Sequence, residues 1–172
     1  MKESERAGFV VALVKALRRH GWAGKTHIQK TAYFAQEAAS VDLDLRFVIH
    51  HYGPYSFELE SLLQTLDSQN VLDVAREDDG YGYAVSVGER AREVEIDTSL
   101  EAKAEEVAGY FATLPTAELE LLSTSYYVRK RLPGETREAW IAEVHRLKPR
   151  FTTDEISRAV DESGAIAQEL QQ

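Results

Sequence analysis

The sequence predicts a mainly helical α+β protein, with a winged-helix-like three-helix core, a β-hairpin wing and a C-terminal helical bundle. Three observations carry that prediction. Apolar residues recur at helical spacing through most of the 172 residues. The first half runs helix, helix, helix, hairpin, which is the winged-helix order. Further amphipathic segments, with their own caps and proline breaks, follow residue 97. The expected division is a winged-helix-like part over 1–97 and a helical part over 98–172 packed on it.

The first helix is expected over Ser4 to His20, where Val10, Leu13, Val14 and Leu17 share a face and Gly21 stops the helix. Thr26-His27-Ile28-Gln29 has the form of a capping box, so a second helix begins there and runs to about Ala39 with Tyr33 and Phe34 as anchors. Arg46 to Tyr52 reads as a short strand that ends in a tight turn at Gly53-Pro54. Ser56 then caps a third helix, with Leu59, Leu62, Leu63 and Leu66 as its stripe and Glu58 near its positive end. That helix ends near Gln69 or Asn70. Val71 to Ala75 and Tyr83 to Val87 flank a polar, Gly-containing connection and form the hairpin.

Thr98-Ser99-Leu100-Glu101 is a second capping-box pattern, opening a fourth helix that stops before Pro115. The fifth helix, Thr116 to Lys130, carries Leu119, Leu121, Leu122, Tyr126, Tyr127 and Val128 on more than one face, as expected of a buried central helix. Trp140, Ile141, Val144 and Leu147 mark the sixth, which Pro149 breaks. Thr152-Thr153-Asp154-Glu155 caps the seventh.

Composition excludes some chemistry. Without cysteine there are no disulfides, thiolate nucleophiles, Cys-ligated zinc fingers or iron-sulfur clusters, and an intracellular, cytoplasmic setting is expected. Lys15, Arg18 and Arg19 interrupt the apolar N-terminal run before it reaches the length of a membrane span, so no membrane partner is expected. Gly24-Lys25-Thr26 is not a phosphate-binding loop, because Arg19 stands where that motif needs glycine and a helix precedes it. His20, His27, His50, His51 and His145 lack the spacing of a helical zinc site, and adjacent strand residues His50 and His51 should point to opposite faces. No nucleophile elbow occurs, so no catalytic residue, metal or cofactor is assigned and the expected function is non-enzymatic.

Charge argues against ordinary recognition-helix docking on DNA. The net charge is -9, and residues 31–128 carry 5 basic and 19 acidic side chains. The third helix holds Glu58, Glu60 and Asp67, the hairpin tip adds Glu77, Asp78 and Asp79, and no Lys or Arg lies between Arg46 and Arg76. Such a surface repels phosphate and lacks the cations whose counterion release drives non-specific affinity. The basic residues lie elsewhere, at Arg129, Lys130, Arg131, Arg137, Arg146, Lys148 and Arg150. They form a nucleic-acid patch, or complement helix dipoles and pair with Glu135, Glu138 and Glu143, or pack against the acidic middle.

Tyr52-Gly53-Pro54-Tyr55-Ser56 is the most distinctive local feature. Its two tyrosines either offer amphipathic contact area with little entropy to lose, or pack the turn onto the second helix through Tyr33 and Phe34. The expected partner surface joins Tyr52, Gly53, Pro54, Tyr55, Ser56 and Glu58 to the hairpin residues Tyr81 and Tyr83. Its acidic side chains steer it toward a basic protein.

Gln29-Lys30-Thr31-Ala32-Tyr33-Phe34-Ala35-Gln36, followed by His51-Tyr52-Gly53-Pro54-Tyr55-Ser56, a Leu-rich helix and a hairpin, resembles the Panacea antitoxin domain and the related YwgA-like bacterial proteins. The likeness covers about residues 5–90. Leu119 to Leu122 and Val144 to Pro149 with Phe151 resemble the YwgA-like C-terminal helices. The resemblance implies a winged-helix-like fold and, for the Panacea relatives, neutralisation of a toxin by direct protein contact or its delivery to a protease. Thr31 and Ala32 stand where the Panacea pattern has bulky apolar residues. The alternative to protein binding is a DNA-binding regulator that uses the Arg129 to Arg150 segment.

Overall fold

A computed structural model describes residues 1–77 and 82–172. Seven α-helices and two antiparallel hairpins occur among them, in the order α1 (Glu3–His20), α2 (Lys25–Glu37), β1 (Val48–His50), β2 (Gly53–Tyr55), α3 (Phe57–Ser68), β3 (Leu72–Arg76), β4 (Tyr83–Val87), α4 (Thr98–Phe111), α5 (Thr116–Arg131), α6 (Arg137–Leu147) and α7 (Thr153–Glu169). A short 3-10 segment, Glu89–Glu93, joins β4 to α4. The mainly helical α+β class predicted from the sequence is the one observed.

The elements form for local reasons that tertiary contacts adjust. The Ser56 hydroxyl accepts the Leu59 amide at 3.3 Å to start α3, and Thr152 with Glu155 makes the expected capping box of α7. Two expected caps are displaced. Helix α2 starts at Lys25 with Gly24 as its cap and no side-chain bond, because Gly24 bridges to Ala84 and the Val85 amide bonds Ala23 O at 2.7 Å, drawing the chain into a β contact first. Gln29, expected to reach back to the helix start, turns instead to Ser56. In α4 the cap is Asp97, whose carboxylate accepts the Ser99 and Leu100 amides at 2.9 and 3.1 Å. An ionised oxygen one residue earlier outcompetes the Thr98 hydroxyl.

The single strand expected over Arg46 to Tyr52 is half of a hairpin. β1 pairs with β2 in the register Val48 to Tyr55, Ile49 to Pro54 and His50 to Gly53, so the turn lies at His51-Tyr52 and not at Gly53-Pro54. Gly53 supplies the positive φ of 92° that this return requires. The second hairpin pairs Leu72 with Val87 through Arg76 with Tyr83, as the sequence predicted.

The larger core cluster runs through both halves of the chain. α1 lies along α4, while α2 packs on α4, α5 and β2. Phe34 stacks on Phe111 and Tyr126 at 4.5 and 5.3 Å between ring centroids, and Tyr33 meets Phe47 edge-on at 5.2 Å. A smaller cluster around Leu121, Val128, Val144, Ile156 and Val160 belongs to α5, α6 and α7. Helix α5 is buried on several faces, because α2, β2, α6 and α7 all contact it. Among the described residues no helix is long and apolar enough to cross a membrane.

Candidate functional site

The His51 to Ser56 segment is held from beneath by residues of two helices, α2 and α5, and of the segment after α6. Gln29 is buried on α2 and pairs reciprocally with the Ser56 backbone: Nε2 donates to Ser56 O at 3.0 Å, and Oε1 accepts the Ser56 amide at 2.9 Å. The next residue, Lys30, donates from Nζ to Pro54 O at 2.7 Å. From the far end of the chain, Lys148 donates to His51 O at 2.6 Å. Gly53 lies against α5 so closely that a Cβ there would stand 2.8 Å from Thr124 Oγ1. Four backbone groups of the segment, His51 O, Pro54 O and the Ser56 amide and carbonyl, are therefore bonded to supporting side chains, which fixes its shape.

Those two lysines bring positive charge inside, and one carboxylate answers it. Glu120 on α5 is 2 % exposed and receives Lys148 Nζ at 2.8 Å and Arg150 at 2.6 Å. Lys30 is 1 % exposed and has no carboxylate within 4.0 Å among the described residues. Burial pushes the Lys30 ammonium down to about 7; Glu120 opposes that shift and Lys148 adds to it.

Above the braced turn the surface is aromatic. Tyr52, Phe57 and Tyr83 are 59, 58 and 45 % exposed, and with Val87 they are the exposed large hydrophobic residues among those described. Tyr55 is half-buried, lying edge-on to Phe57 at 5.1 Å and tilted against His50 at 5.2 Å. Burial and the neighbouring Glu60 carboxylate push its hydroxyl up to about 12. Lys25 binds Glu60 at 2.7 Å and sits 4.7 Å over the Tyr83 ring. Two cavities of about 450 Å³ each adjoin at Lys25, Thr26, Tyr52 and Tyr83, between the turn and the β3–β4 hairpin.

The structure redistributes the expected partner surface. Tyr52 and Tyr83 are exposed beside one another's cavities, and Glu58 is exposed at the start of α3. The Glu58 carboxyl lies below the usual carboxylate range because it bonds its own amide and the Ser56 hydroxyl. Gly53, Pro54 and Ser56, also named in the expected surface, are buried, with Pro54 O and the Ser56 amide bonded to Lys30 and Gln29 beneath it. Tyr81 lies outside the described residues, as do Asp78 and Asp79. The alternative in which the turn tyrosines pack on Tyr33 and Phe34 is not what occurs: those rings face Phe47, Phe111, Tyr126 and Tyr127. The His50 and His51 rings are not on opposite faces either, since their centroids are 4.7 Å apart. His51 begins the turn and leaves the strand alternation.

Each of the seven cations of the basic segment is engaged within the chain. Arg129 donates to Val160 O at 3.0 Å under the Trp140 ring, Lys130 pairs with Glu37 at 3.4 Å, and Arg131 sits over Tyr127. Arg137 pairs with Asp161, Arg146 with Glu143, and Lys148 and Arg150 with Glu120. Glu143 is the one expected partner that serves; Glu37 and Glu120 come from the acidic middle. Glu120 and the supporting role of Gln29 and Lys30 escaped the sequence reading. A charged residue inside an apolar helix is the signal that marks Glu120, and only packing shows what it faces. No known family model and no curated protein matches this chain.

Proposed function

We propose that the chain is a non-enzymatic protein-binding regulatory module, acting in the manner of an antitoxin. Its contact face is the aromatic surface of Tyr52, Phe57 and Tyr83 between the turn and the hairpin of a winged-helix-like core. One observation carries this reading: a turn whose His51 and Pro54 carbonyls and Ser56 amide are bonded inward presents a tyrosine that is mostly exposed. Such preorganisation lowers the entropy lost on binding, and tyrosine is a favoured hot-spot residue. Glu58, Glu60 and Glu77 flank the face and favour a basic partner. Duplex binding through Arg129 to Arg150 draws no support from this geometry, because Lys148 is 5 % exposed and the other six cations already have partners.

The test is a tagged purification from the native host at moderate salt, comparing the wild type with a Tyr52→Ala, Tyr83→Ala double variant of unchanged circular dichroism. A stoichiometric basic protein should accompany the wild type and its affinity for the variant should fall at least about 30-fold. Equal affinity of that protein for both chains refutes the reading. Nuclease-sensitive nucleic acid in place of a protein would support the DNA-binding alternative.

A further inference from the structure

We infer that the cavity bounded by Lys25, Lys30, Tyr52 and Tyr83 is a binding site for a small oxyanion, a carboxylate, sulfate or phosphate group, gripped by the Lys30 ammonium. The inference goes beyond the protein-binding reading and does not depend on it.

The argument begins with an uncompensated charge. An ammonium carries three N–H donors, and Lys30 spends one of them on Pro54 O at 2.7 Å. Glu120 does not bond it: its oxygens hold Lys148 and Arg150 at 2.8 and 2.6 Å, and no carboxylate lies within 4.0 Å of Lys30 among the described residues. Three cations therefore share one buried carboxylate, and a buried cation without a counter-ion is a costly arrangement unless a charge is supplied from elsewhere. The place from which it can be supplied is the cavity of about 450 Å³ that Lys30 lines. Its remaining wall suits an anion. Lys25 brings a second ammonium, which neutralises the Glu60 carboxylate that also lines the cavity, and His50 and Tyr52 contribute rings whose polar edges can donate, while the Tyr55 hydroxyl is engaged by Glu60. An oxyanion there accepts the spare Lys30 donors as charge-assisted bonds, which are the strong kind in a desolvated setting. The depressed proton affinity of Lys30 fits the same picture: burial and Lys148 disfavour its charge, and a bound anion would restore it.

Glu120 from α5 and Lys148 from the segment after α6 act on Lys30, and Lys25 with Glu60, His50 and Tyr55 also face the cavity, so the pH dependence belongs to Lys30 only where Lys30→Met removes it. Sulfate keeps its charge from pH 6 to 9 and is the probe of choice. Calorimetric titration of the full chain with sodium sulfate, at ionic strength held constant with chloride, should show one equivalent bound at pH 6. Affinity should fall at least about tenfold by pH 9, and at least about tenfold in Lys30→Met, the loss expected for one charge-assisted hydrogen bond. Lys103→Met, on α4 and paired with Glu106, should bind as the wild type does. Parallel titrations with phosphate and acetate distinguish the source: sulfate and phosphate alone mark a tetrahedral oxyanion, and acetate as well marks carboxylates. Should Lys30→Met fail to fold, reductive methylation of the wild type gives a second reading, with sulfate expected to protect Lys30 selectively among the lysines. No saturable binding beyond the chloride control, equal binding by folded Lys30→Met, or labelling of Lys30 indifferent to sulfate overturns the inference.

Discussion

Replacing Glu120 by Gln removes the carboxylate that, among the described residues, answers the buried Lys148 and Lys30, and the structure says what that should cost. Glu120 and Lys148 are 2 and 5 % exposed and 2.8 Å apart, so their charges are little screened. Arg150 is mostly solvated on its outer side and contributes less. Breaking a buried pair by removing one partner costs about 3–5 kcal/mol, because the other charge is left in place. For a domain whose whole stability is about 5–15 kcal/mol that is roughly a fifth or more, and it lowers Tm by about 6–20 °C. Urea denaturation at pH 6.5 measures the loss directly. The pH dependence separates this cause from mere repacking. The folded-state pKa of Lys30 lies at about 7 and its unfolded value at 10.5, so between these the unfolded chain binds the extra proton. The penalty of burying the charge is full below pH 7 and is relieved as pH rises, so stability increases with pH up to the tyrosine range. The ceiling on that gain is about 5 kcal/mol over the whole window. In Glu120→Gln the group that favours charged Lys30 is gone, so the deficit is largest at low pH and shrinks by pH 9.5; Lys30→Met should flatten the wild-type slope. A loss below about 1 kcal/mol, or a deficit that does not change between pH 6.5 and 9.5, would refute the assignment of Glu120 as counter-charge.

Other consequences are open to measurement. Gly53→Ala places a Cβ 2.8 Å from Thr124 Oγ1 at a φ of 92°, so it should lower stability by about 2 kcal/mol or more, and adding Thr124→Ala should return only part of that in thermal melts. Asp97→Ala should cost about 1 kcal/mol and Thr98→Ala almost nothing, the reverse of what a Thr98 cap requires; urea curves on the two variants decide it. Phe34→Ala opens a cavity between Phe111 and Tyr126 and should cost about 3–5 kcal/mol by the same assay. Tyr52→Ala, whose ring is largely solvated, should change stability by no more than about 0.5 kcal/mol while weakening partner binding, so a large loss of Tm would show that the ring is structural.

Helical spacing marked all seven helices, and a polar, Gly-containing connection marked the β3–β4 hairpin, since periodic burial and turn chemistry are local properties that the order of residues records directly. Local chemistry also marked Ser56 and Thr152 as caps, but it left open whether Tyr52 packs inward or faces out, which only the fold decided. Where a second part of the chain competed for the same atoms, local reading went astray. Gly24 is claimed by Ala84, Gln29 by Ser56 and the Gly53-Pro54 dipeptide by a strand pairing with Ile49 and His50. The support of the turn was the least legible part, because Lys148 and His51 are joined across nearly a hundred residues. Sequence by itself determined the class of the fold, the order of its elements and the side chains that make its helices amphipathic. Tertiary structure alone decided that Lys30, Glu120 and Lys148 meet beneath one turn, because desolvation and charge pairing depend on distances that no spacing along the chain encodes.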